Sequence, residues 1–300
     1  MQAIPTPEVL AQSLKERVLA QDSAIDKVAK RVAYTIRLWD QRPERPNGVF
    51  LFVGPTGVGK TSLAVALAEE LAPRGDNIIQ LDMSEYSGEW SVSKLIGPPP
   101  GYSGSQVPDS WLTTRVKRSP RAVLLLDEIE KADHTVQQLF LQVFEEGRLT
   151  DSLGYTADFS NTVVVMTSNF GARSTQPIGF VHGEPNFSEV HGSLRAHFSP
   201  EFMGRIDDVI TFDPLNGPAL RAIARNMVDR MIAARKRDSY FLTVDDSALE
   251  AVIAFQAQPQ DGARYLARNI DSLLGFPLLD CPPGRYSAVV ELGSLTWSKN

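Results

Sequence analysis

The chain has 300 residues, and its 30 Lys plus Arg against 36 Asp plus Glu give a formal charge of −6. A surface that holds nucleic acid or an acidic membrane by charge needs a basic surplus, so that class of function is disfavoured. Hydrophobic residues at 43% and charged residues at 22% exclude the composition of a disordered chain. The length suits one large domain or two smaller ones.

Cys281 is the single cysteine, so no disulfide can close within the chain and a reducing compartment is the natural reading. Residues 1–15 have neither a basic start nor an apolar run of signal length. No stretch approaches the roughly 20 apolar residues of a membrane span, and a cytoplasmic location is expected. His134, His182, His191 and His197 lack the paired partners of a zinc site, and no G-x-S-x-G turn is present.

Along the chain, Val49–Val53 is a short apolar run closed by Gly54 and Pro55, which reads as a buried strand. Ile78–Leu81, Ala122–Leu126, Thr162–Thr167 and Val209–Phe212 repeat the pattern. Between them, Val136, Leu139, Phe140, Val143 and Phe144 follow helical spacing. Strands alternating with helices predict an α/β domain with a parallel sheet.

After Phe212, the cluster Asp213, Pro214, Asn216, Gly217 and Pro218 is expected to interrupt both strand and helix, which puts a domain boundary there: 1–212 and 213–300. The second part reads as small and mostly helical. A long amphipathic helix runs from Leu220 to Ile232, a short strand lies at Phe241–Val244, helices at Leu249–Phe255 and Ala263–Leu274, and a last strand at Ser287–Leu292.

Gly54-Pro55-Thr56-Gly57-Val58-Gly59-Lys60-Thr61 fits G-x-x-x-x-G-K-[ST] between a predicted strand and a predicted helix. Glycines let main-chain N–H groups wrap phosphates, and the helix N-terminus adds its positive dipole end. Lys60 reaches the β and γ phosphates and Thr61 offers a hydroxyl to Mg²⁺. Leu124-Leu125-Leu126-Asp127-Glu128 is an apolar strand ending in two carboxylates, which are costly to bury unless a cation or water receives them. A Mg²⁺ nucleotide does so, with Asp127 in the metal's shell and Glu128 activating the attacking water. The alternative is that Glu128 caps the following helix, with Glu130 and Lys131 as solvated neighbours.

These motifs resemble the Clp-type AAA+ unfoldases and disaggregases, in particular the second ATPase module of two-ring members. The resemblance also rests on Asp82-Met83-Ser84-Glu85-Tyr86, Pro99-Pro100-Gly101-Tyr102, Gly147-Arg148-Leu149-Thr150-Asp151, Met166-Thr167-Ser168-Asn169, Gly204-Arg205-Ile206-Asp207 and Gly262-Ala263-Arg264. It implies an AAA+ P-loop domain with a five-stranded parallel sheet, followed by a small helical domain with a short sheet. It further implies ATP/ADP and Mg as cofactors, and a hexameric ring that threads unfolded or aggregated protein through a central pore.

By the same resemblance, Asn169 is the sensor 1 amide, Arg205 the arginine finger offered to a neighbouring subunit, and Arg264 the sensor 2 arginine. Val18 and Leu19 align with the pair that packs on adenine, with Ala20 where glycine is usual. Tyr102 aligns with the pore tyrosine. Ile178, Gly179 and Phe180 correspond in place to a tripeptide that docks on a peptidase chamber in some members. Read without the family, Arg205 pairs with Asp207 or Asp208, Arg264 lies on a solvated helix face, Tyr102 is an ordinary loop residue and Ile178–Phe180 is a loop anchor. Ser103, residues 104–109, Tyr155 and Gly204 depart from the family pattern. Two other classes stay open: an AAA+ remodeller of nucleic acid, and a nucleotide-gated assembly subunit that hydrolyses little.

Overall fold

The computed structural model describes residues 6–37, 42–72, 77–88, 90–99, 101–102, 108–170, 187–256, 261–291 and 294–299. By internal contacts the chain divides into one unit of 1–54 and 59–212 and a second of 55–58 and 213–300. The tip of the glycine-rich loop, Pro55–Val58, thus groups with the second unit.

In the first unit, α1 (Pro7–Arg17) and α2 (Asp22–Ile36) precede β1 (Val49–Val53). The chain turns between the two helices at Ala20, which is held at φ 63°. Then come α3 (Lys60–Leu71), β2 (Ile78–Asp82), α4 (Ser91–Ile96), α5 (Leu112–Arg118), β3 (Val123–Asp127) and α6 (His134–Glu146). A hairpin of β4 (Arg148–Thr150) and β5 (Thr156–Asp158) leads to β6 (Val163–Ser168), α7 (Phe187–His197), α8 (Pro200–Gly204) and β7 (Asp208–Thr211).

The five main strands lie in the order β2-β3-β6-β1-β7, all parallel. The inner strands β1 and β6 are buried along their whole length, which is why both read as unbroken apolar runs. Leu51, Leu124, Leu126, Val164 and Met166 share one core with Phe140 and Phe144 of α6 and Phe202 of α8. Asp133 starts α6 by accepting the Thr135 N–H, and Gly147 ends it in the left-handed region at φ 59°.

The second unit contains α9 (Gly217–Arg235), β8 (Phe241–Val244), α10 (Asp246–Ala254), α11 (Arg264–Ile270), β9 (Arg285–Glu291) and β10 (Ser294–Lys299). β8 pairs in parallel with β9, and β9 forms an antiparallel hairpin with β10. Ala224, Val228, Leu249, Val252 and Leu266 centre its core.

Three expectations change. Gly217 and Pro218 do not interrupt a helix; they open α9, with Asn216 accepting the Ala219 N–H as its cap. Proline is tolerated in a first turn, where its missing N–H has no partner to lose. The last strand of the second unit is β10, beyond the single one expected at Ser287–Leu292; its alternating polar residues hid it. α11 stops at Ile270 and runs on as a wider π turn, Asp271–Gly275.

Candidate active site

The strand order brings three motifs to one edge of the sheet. β6 lies between β1, which leads to the glycine-rich loop, and β3, which ends in Asp127. Asn169 follows the C-terminal end of β6, so its amide stands between the two. In open α/β sheets this carboxyl edge is where ligands bind.

Gly54, Gly57 and Gly59 have φ of 154°, 74° and 108°, values that side chains disfavour. At Gly54 a Cβ would come within 2.6 Å of the Phe212 carbonyl oxygen, so only glycine fits. Lys60 begins α3 and is buried, and a buried ammonium needs oxygen partners. It donates to the Gly54 carbonyl at 2.6 Å and to Asn169 Oδ1 at 3.1 Å. The other end of the same amide, Nδ2, donates to Glu128 Oε1 at 3.2 Å. Asn169 is therefore oriented with its oxygen on the cation and its nitrogen on the carboxylate, the arrangement its two ends require.

Thr167 adds a second brace. Its buried hydroxyl donates to Asp127 Oδ1 and accepts the Glu128 main-chain N–H at 3.0 Å. Glu128 sits at φ 56°, a conformation that costs a side-chain-bearing residue and recurs at functional positions. It occupies the cap position of the short turn Ile129–Lys131 but makes no side-chain cap bond, so the capping alternative fails. Its second oxygen pairs with Lys131 Nζ at 2.5 Å, and that carboxylate raises the Lys131 ammonium above its ordinary pKa. Glu130, expected to be solvated, turns inward instead. Its Oε1 accepts the Asn169 N–H at 3.1 Å while its Oε2 is buried with no hydrogen-bond partner.

Thr61, the second residue of α3, and Asp127, the last residue of β3, both carry oxygen donors, the donor class magnesium takes. Among the described residues no group of three or more His, Cys, Asp or Glu could hold a metal by itself. Such a pair suits an ion completed by phosphate oxygens and water.

Val18 is buried at the end of α1, and a Cβ on Gly59 would lie 3.5 Å from its Cγ1, so Val18 flanks the loop's last glycine. Leu19 beside it is half-buried. Arg205, following α8, does not pair with Asp207 or Asp208: its Nη2 meets Glu145 Oε1 at 2.8 Å, and its buried Nε has no hydrogen-bond partner. Asp207 is held by Arg31 and Arg45 at 3.1 and 3.3 Å. Arg264 is the exposed first residue of α11, in the second unit. Tyr102 is 68% exposed. Ile178, Gly179 and Phe180 lie outside the described residues.

Sequence reasoning missed Thr167, Arg45 and Glu145 as partners. Thr167 is legible as a polar residue inside a mostly apolar strand; the other two carry no local signal, because the packing of α6 and of the segment before β1 against the turn at Arg205 brings them together.

A glycine-rich phosphate loop, an acid-tipped strand and an amide between them on a parallel sheet define a P-loop ATPase fold of the AAA+ class. The chain belongs to the AAA domain family of the Cdc48 subfamily, whose model matches residues 45–209, and residues 215–282 match the C-terminal, D2-small domain of ClpB protein. The pair of matches is that of a Clp-type second ATPase module.

The chain is 44% identical over 263 residues to the ATP-dependent Clp protease ATP-binding subunit ClpE of Lactococcus lactis subsp. lactis (strain IL1403), covering 87% of this chain and 35% of that protein. It is 42% identical over 273 residues to the chaperone protein ClpB of Enterococcus faecalis (strain ATCC 700802 / V583), covering 90% of this chain and 31% of that protein. The chain thus spans about a third of the length of these relatives.

Proposed function

We propose that the chain is an ATP-hydrolysing module of a protein unfoldase or remodelling chaperone, working as a hexameric ring in the cytoplasm and threading unfolded or aggregated polypeptide through a central pore. The observation that carries this reading is the Asn169 amide bound at once to Lys60 and to Glu128. It links the group suited to the γ-phosphate with the group suited to taking a proton from water. The similarity to ClpE and ClpB, whose names give them ATP binding and chaperone roles, supports the protein substrate over nucleic acid, as does the acidic charge.

In this reading Lys60 leaves the Gly54 carbonyl for the β and γ phosphates, and loop N–H groups of residues 54–61 cradle the triphosphate. Magnesium held by Thr61, and by Asp127 through water, supplies neutralisation of phosphate charge when bound. Glu128 accepts the proton of the attacking water while Asn169 orients that water. Arg205 completes the neighbouring subunit's site, where an arginine finger is worth about 10³–10⁵ in rate. Val18 and Leu19 pack on adenine, and Arg264 reports the γ-phosphate to the 213–300 domain. A peptidase partner docking at Ile178–Phe180 is part of the proposal and rests on the resemblance alone.

Replacing Glu128 by Gln keeps the shape and removes the base. Turnover is expected to fall by about 10²–10⁴-fold, while labelled ATP still binds with magnesium. Unchanged turnover would remove Glu128 from its role. The Lys131–Glu128 pair favours one other reading, a subunit that binds ATP and hydrolyses little because its base is already occupied. Wild-type turnover would then stay near background and the same substitution would change nothing.

A further inference from the structure

Arg45 is a buried guanidinium that satisfies three separate parts of the first unit at once. Its Nε donates to the Phe144 carbonyl at 2.6 Å, its Nη2 to the Arg205 carbonyl at 2.7 Å, and its Nη1 to Asp207 Oδ1 at 3.3 Å. Phe144 lies in the last turn of α6, whose final carbonyls have no helical partner, so the first bond fills a vacancy the helix creates. Gly147 makes the approach possible: a Cβ there would fall 1.8 Å from the Glu44 carbonyl oxygen. The other carboxylate oxygen of Asp207 accepts the Val49 N–H at 2.9 Å, at the start of β1. One planar fork thus ties the turn carrying Arg205 to the helix end and, through Asp207, to the strand that leads into the phosphate loop. A lysine, with one donor centre, cannot span three acceptors lying in different directions.

We propose that Arg45 is a positioning residue for Arg205: it fixes the main chain from which the finger projects, and so sets the finger's reach toward the neighbouring subunit's nucleotide. Glu145 meanwhile holds the Arg205 guanidinium on its own subunit until a competing anion is presented. The inference rests on the trans role given to Arg205 above. It predicts a defect that lies in the neighbour's site rather than in the subunit's own. Misplacing a catalytic group by about 1 Å costs about a hundredfold in rate.

The experiment is subunit complementation with the full chain. Arg45→Met and Arg45→Lys are each expected to turn over ATP about a hundredfold more slowly than wild type, with nucleotide affinity unchanged. Each is then mixed with Lys60→Ala, which lacks a working site of its own but keeps an intact finger. Turnover in the mixture is expected to recover by about tenfold or more over either variant alone. Arg205→Ala mixed with Lys60→Ala is the control for the trans reading. Recovery in the control but not with the Arg45 variants would overturn the positioning role and leave the trans finger standing. No recovery in either would overturn the trans reading and this inference with it. Melting curves accompany each variant; if Arg45→Met does not unfold cooperatively, Arg45→Lys carries the test, and wild-type turnover by Arg45→Lys alone would also overturn the proposal.

Discussion

At the scale of single residues, the backbone records which side chains are tolerated only for a reason. Ala20 stands where the family resemblance leads one to expect glycine, and its φ of 63° explains the preference: a Cβ in the left-handed region is pressed toward the following carbonyl. Ala20 is exposed, so no packing compensates. Ala20→Gly is therefore expected to raise stability by about 1 kcal/mol, seen as a higher urea midpoint with an unchanged slope; a lower midpoint would mean that the turn between α1 and α2 is not strained. Glu128 has a similar φ but a different cause, since the Thr167 hydroxyl receives its N–H. The motif residues of the site were legible because each motif is contiguous. Their braces were not: Arg45 meets Arg205 across 160 positions, and Thr167 meets Asp127 across 40.

At the scale of elements, apolar runs predicted all five main strands to within a residue or two, because strands buried on both faces admit little else. Strand order was not legible, since periodicity says how a strand is buried and nothing about its neighbours. That order decides the site, because it alone sets Asn169 between Lys60 and Glu128. Helix starts were read least well. α9 opens at Gly217, which the sequence suggested was a breaker, because the Asn216 cap outweighs the glycine and proline that follow it.

The cap of α6 gives a test with a sign. The Thr135 hydroxyl and then its main-chain N–H hold the Asp133 carboxyl below the usual carboxylate pKa. A depressed folded pKa means the cap contributes stability above the unfolded pKa of about 4 and loses it as pH falls through the folded value. Asp133→Ala should therefore lower the melting temperature by a few degrees at neutral pH, and the gap to wild type should close in acid below that range. A gap that is constant with pH would show that the charge contributes nothing to the cap.

At the scale of the whole molecule, the proposed unfoldase has to turn chemistry at a phosphate into force on another chain. A threading motor needs a grip that ignores sequence, and an aromatic ring meets that need because it contacts backbone and side chains of any kind through area rather than through matched hydrogen bonds. Tyr102 is exposed, and the segment before it is anchored. Gly97, at φ 84°, lies so close to Trp111 that a Cβ would come 2.2 Å from the ring, and the Tyr102 N–H donates to the Pro99 carbonyl at 3.2 Å. An exposed ring on an anchored base is suited to transmitting a pull. If the ring face is the grip, Tyr102→Phe should retain unfolding of a tagged model protein, and Tyr102→Ala should slow it by about tenfold or more, in line with the loss of one well-buried aromatic contact. ATP turnover recorded on the same samples separates the causes, because a fall in turnover that matches the fall in unfolding points to a damaged ring rather than a lost grip. Equal unfolding by the Ala and Phe variants would mean that polypeptide is moved by some other surface.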